Sequence, residues 1–245
     1  LVTNMDFTSL PFKVYLILSF ELIVLYGCAF WIIQKCKKAF YSQTTFLGIA
    51  FAEAVNANKQ TDIAIVQTKK TTLFFFYLII FAVVSLWTGA IIMPWSNPLI
   101  EVSFMTLSAI GYGSLIGFII MDMDENDGMT GLKLATLTTV AMFVLEASSG
   151  INFANPVFVG VLMLLVLFLL LAEIISLFFS FSRRAVKIKA IAGIAIFSMM
   201  LLSSISLVEV TTQQGLNDWD TAIYFAFSMY LDIINIILYF LELMG

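Results

Sequence analysis

Long apolar runs broken by short polar stretches dominate the chain. Seven of them, at 11–34, 72–93, 97–121, 131–152, 156–180, 186–209 and 220–243, are long enough to supply the roughly 20 apolar residues that a membrane-crossing helix needs. In lipid only helices and closed barrels satisfy the backbone. The runs lack the apolar–polar alternation of barrel strands, so they predict helices. Pro94 and Pro98 punctuate the second boundary, Pro156 the fourth, and Asn217 to Asp220 mark the start of the last helix. The expected fold is all-α: a polytopic transmembrane bundle of about seven helices, one integral membrane domain over 1–245, with the last helix at its centre.

One interval is long, from Lys35 to Thr71. In it Phe46, Leu47, Ala50, Phe51, Ala54 and Val55 recur at helical spacing, with Glu53 and Asn56 off that face. The run is too short to span, which predicts a helix lying on the membrane surface.

Composition changes the picture by excluding classes. Hydrophobic residues make up 61% and charged residues 11% of the 245, against about 25% charged in a soluble domain. The excess apolar surface needs lipid around it, so no soluble enzyme is expected. Without histidine, His-ligated zinc, haem and His-based triads are excluded. Cys28 and Cys36 have no partner spacing and read as free thiols. There is no phosphate loop, and no basic–aromatic patch that would take nucleic acid. Asp6 precedes a first apolar stretch too long for an h-region, so no cleavable signal is expected.

Basic residues predict orientation. Lys35, Lys37, Lys38, Lys59, Lys69 and Lys70 fall in one interval, and Arg183, Arg184, Lys187 and Lys189 surround the start of helix six. With seven alternating spans both groups share a side, which the positive-inside rule makes cytoplasmic. The N-terminus would then lie outside and the C-terminus inside. Ten lysines against two arginines, with 24 phenylalanines, are only a loose fit to an AT-rich bacterial genome and do not fix the organism; the expected location is a bacterial inner, or plasma, membrane.

Candidate chemistry lies in acids within the spans. Glu21, Glu146, Glu173 and Asp232 fall in the predicted hydrocarbon region, with Glu101, Glu209 and Glu242 nearer helix ends. An acid at mid-bilayer costs roughly 2.5–3.5 kcal/mol on insertion scales, and few basic residues are placed to offset it. Such a group holds a proton, shares one with a second acid, or binds a cation. The last helix singles out one acid. Thr221, Tyr224, Ser228, Asp232, Asn235, Tyr239 and Glu242 form one helical stripe, with Asp232 at its middle. Ser203, Ser206 and Glu209 make a matching row on helix six. Such serines also serve simply as interhelical glue. The acidic run Met121 to Gly128 fails as a calcium loop, because Gly128 is one place late and Lys133 stands where a glutamate is needed. It reads as a solvated turn, and no metal site is assigned.

The segment Met229-Tyr230-Leu231-Asp232-Ile233-Ile234-Asn235, with the apolar run to Gly245, resembles the last helix of the Bax inhibitor-1 family (the transmembrane Bax inhibitor motif family, with its YccA- and YetJ-like bacterial members). Gly193 to Ser198 is similar to that family's sixth helix, and Glu21 before Ala29-Phe30-Trp31 is a fainter likeness to an early one. The resemblance covers about the last quarter of the chain. It implies seven helices and a pH-sensitive calcium leak gated by paired acids on the last two helices, with Asp232 as one of the pair. Glu209 is the nearby acid on helix six, whereas alignment on Gly193 to Ser198 puts Ser204 opposite Asp232. The resemblance also implies a cytoplasmic N-terminus, against the charge pattern.

The expectation is therefore a calcium or cation leak with a carboxylate latch of Asp232 and Glu209. Ser228, Asn235, Ser206, Glu21, Glu146 and Glu173 are candidate pathway residues, and no cofactor is needed beyond a calcium ion. Partners are the lipid bilayer and calcium or protons. The alternatives are a non-conducting regulator that docks a membrane protease or another membrane protein through 35–71, and a proton-coupled transporter of small solutes suggested by Glu146 and Glu173.

Overall fold

The computed structural model describes residues 8–55, 61–66, 68–92, 97–176 and 178–245. Asn56, Lys59, Met93 and Pro94 lie outside them. Among the described residues are seven helices: α1 (Leu10–Tyr41), α2 (Lys69–Ile92), α3 (Pro98–Asp122), α4 (Glu125–Ser149), α5 (Pro156–Ser176), α6 (Arg183–Gln213) and α7 (Trp219–Met244). Six of these, all but α2, are long and apolar enough to cross a membrane. The described side chains of α2 give a shorter apolar segment, Thr71–Phe81. The chain is a multi-pass helical membrane protein.

The caps follow local chemistry. Asn97 accepts the Leu99 amide at 3.0 Å, with Pro98 in the first turn of α3. Ser182 accepts the Ala185 amide at the start of α6, and Asp218 accepts the Thr221 amide at 2.7 Å at the start of α7. Each satisfies an amide that a helix start leaves open.

Two compact units are distinguished. One joins the chain up to Leu18 with Gly131–Met244, and the other is Ser19–Thr130. In the first, α6 and α7 form the most extensive pairing, and α5 packs on α6. Of the most apolar stretch of α7, 72% of residues are buried, against 11% in α5, so α7 is the inner helix and α5 the one left to lipid. Ala222, Ile223, Ala226, Met229, Ile233, Ile236 and Ile237 are all fully buried. The polar stripe of α7 is thus no more interior than its apolar faces, and its outer member Tyr224 is exposed.

In the second unit α1 and α3 run together closely. A side chain at Gly113 or Gly117 would run into the α1 backbone at Leu25 or Ala29, so small residues set the approach. Phe74 and Phe75 of α2 meet Phe118 of α3 edge-on at 5.5 and 5.3 Å.

The interval 35–71 departs from expectation twice. First, α1 continues to Tyr41, because Cys36 and Ala39 extend the buried row of Ile32 and Ile33. Lys35, Lys37 and Lys38 therefore sit on its closing turns, where cations suit a helix C-terminus. Second, the surface helix is replaced by a hairpin, β1 (Phe51–Val55) antiparallel to β2 (Thr61–Ile65), with Phe51 opposite Ile65 and Glu53 opposite Ile63. Leu47 and Gly48, at φ 52° and 76°, make a tight turn closed by mutual Phe46–Ile49 backbone bonds of 3.0 and 2.9 Å. Positive φ at both central residues is hairpin-turn geometry and stops a helix. The β-branched Ile63, Ile65 and Val66 complete the preference for strand. The acidic run is also less loop than expected: α4 starts at Glu125, and Glu125 pairs with Lys37 at 2.7 Å.

Candidate functional site

The acids expected within the spans have quite different surroundings. Asp232, 4% exposed, accepts the Ser204 hydroxyl at 3.3 Å, and Ser204 stands 3.5 Å from Ser228. No lysine or arginine among the described residues pairs with it. The α6–α7 hairpin explains the choice of partner. Glu209 lies about seven residues before the centre of the turn at 214–218 and Asp232 about sixteen after it, a mismatch of roughly 13 Å along the axes. Ser204 is nearer register. The Asp232–Glu209 pair is therefore corrected: Asp232 faces serines, and Glu209 is exposed further along α6.

Glu209 instead joins Glu146. Both line a cavity of about 160 Å³ with Asn152, Ser206 and Gln213, where the α4–α5 connection meets the end of α6. Glu146 accepts the Ser206 hydroxyl at 3.1 Å, and Ser206 in turn accepts the Phe153 amide at 3.3 Å. This acid pair was not matched in the sequence, because Glu146 belongs to a helix far from α6 in chain order.

Glu173 is not an unpartnered acid. Lys189 donates to it at 2.7 Å and to Glu242 at 2.7 Å, and the Tyr239 hydroxyl donates to Glu173 at 3.1 Å. Gly193 makes room for the Tyr239 ring, since a Cβ there would lie 2.6 Å from it. One ammonium thus ties α5, α6 and α7 together and removes Glu173 from the pathway candidates. Asn235 turns back to the Leu231 carbonyl of its own helix at 2.9 Å.

In the second unit Glu21 is wholly buried, accepts the Thr106 hydroxyl at 2.8 Å, and leaves its other oxygen, Oε2, without a hydrogen-bond partner. Cys28 and Cys36 are free thiols. Among the described residues no three His, Cys, Asp or Glu side chains gather in a way that could hold a metal.

Along the first unit the polar groups therefore fall at three levels of α6 and α7. Glu146, Ser206 and Glu209 stand near the C-terminal end of α6. Ser204, Ser228 and Asp232 occupy the middle. Glu173, Lys189, Tyr239 and Glu242 close the other end. Among the described residues, a cation neutralises charge at the last of these levels alone. Compared with known proteins, the chain matches no family model and no curated protein.

Proposed function

We propose that this membrane protein passes a cation down its gradient along the seam between α6 and α7, with Asp232 as the mid-membrane carboxylate. The observation that carries the reading is the burial of Asp232 against serine hydroxyls, with no cationic side chain among the described residues paired to it. A carboxylate so placed is completed by a proton or a mobile cation. The cavity at Glu146 and Glu209 supports it, as a polar recess beside the C-terminal end of α6, one of the two helices of the seam. The resemblance to the Bax inhibitor-1 family favours calcium. With Ser204 opposite Asp232, gating rests on the charge of one acid and not on a proton shared by two. Flux then rises with pH as Asp232 ionises.

Calcium uptake into proteoliposomes across a pH series tests this. Asp232→Asn should abolish the pH dependence and cut uptake at least about tenfold, the order expected when one charge-stabilising group is lost. Equal uptake by both proteins at every pH defeats the proposal.

The non-conducting regulator reading draws less support. Of the lysines it would use, Lys37 is engaged by Glu125 and three stand on α1. The transporter reading loses Glu173 to Lys189.

A further inference from the structure

We propose that the face between α5 and α6 binds one acyl chain of an anionic phospholipid, with its headgroup on the basic start of α6. A groove of about 480 Å³ separates the two helices, walled by Leu165, Phe168 and Leu169 on one side and Ile188, Ala192 and Ile196 on the other. Lys189 also borders it, but its ammonium is turned to Glu173 and Glu242, so only its methylene stem is left to the groove. Such walls offer water no partners. From Ala185 to Ile196 the groove follows twelve residues of α6, about 16 Å of helix and so roughly half of a ~30 Å hydrocarbon core. Its depth is that of a single leaflet.

Charge selects the lipid. Arg184 and Lys187 stand on the first turns of α6, Arg184 next to the groove's Ala185, and the two acids at that end, Glu173 and Glu242, are both held by Lys189. Basic residues at a membrane surface attract anionic headgroups. A free phosphate would leave the apolar walls uncovered, so a headgroup with its tail is the matching occupant.

The test is native mass spectrometry of the whole chain in neutral detergent, titrated with phosphatidylglycerol, phosphatidylcholine of the same acyl chains, and soluble glycerol phosphate. One phosphatidylglycerol should be retained, at least about tenfold more tightly than phosphatidylcholine, with no retention of glycerol phosphate. Arg184→Gln with Lys187→Gln should remove that preference, and Ala192→Phe should weaken both lipids by filling the groove. On the unaltered protein, a photoactivatable phosphatidylglycerol should label residues between Leu165 and Ile196. Equal retention of the two lipids, or label confined to other helices, overturns the proposal.

Discussion

Glu173 and Asp232 are both acids of membrane-spanning helices in the same unit, yet they solve opposite problems. Glu173 shares a lysine with Glu242 and takes a tyrosine hydroxyl. Asp232 is more deeply buried and, among the described residues, has serine alone. The first arrangement is complete in itself and fastens three helices. The second lacks a positive charge, which is what a site for a transient occupant requires. An acid in a span is therefore not a functional residue by position alone, and its partner decides.

Four substitutions sharpen that contrast, in order of expected effect on thermal unfolding in detergent. Lys189→Met should cost about 2–3 kcal/mol, the lower side of breaking a buried pair, because Glu173 and Glu242 keep some exposure. If the loss is negligible, the cluster is not a fastening. Gly193→Ala should cost about 1–2 kcal/mol by overpacking against Tyr239, and Tyr239→Leu in the same chain should recover part of it. Asp218→Ala removes the cap of α7 and should cost about 1 kcal/mol at neutral pH. Hydrogen bonds from Thr221 hold the Asp218 carboxyl below the ordinary aspartate value. That stabilisation is full above the unfolded value, about 3.9, and is lost as pH falls through the folded one. The gap between Asp218→Ala and the parent should thus stay constant down to about pH 4 and close below it. Asp232→Asn should change stability by less than about 1 kcal/mol, since the amide oxygen still accepts from Ser204. A large loss would make Asp232 structural.

The seven helices were legible, six of them as spans, because unbroken apolarity has few other meanings in a chain this poor in charge. The hairpin was not. Phe46, Leu47, Ala50 and Phe51 fit a helical face, and what overrides it is the positive φ of Leu47 and Gly48 together with a strand partner ten or more residues on. Asp232 was legible from its place in α7, but its neighbour needed the register of the α6–α7 turn, which favours Ser204 over Glu209. The same count about the turn between Ser176 and Arg183 brings Glu173 and Lys189 within reach of long side chains. Glu146 and Glu209 had no such signal, because which helices adjoin is settled by packing and not by spacing.

The length of α1 has a consequence of its own. Its 32 residues extend about 48 Å, well beyond a hydrocarbon core of about 30 Å, so part of it tilts or projects. A thicker bilayer must draw its lysine-bearing turns toward the acyl region and partly dehydrate the Lys37–Glu125 contact. The end of this helix is thereby made responsive to membrane thickness, without any ligand.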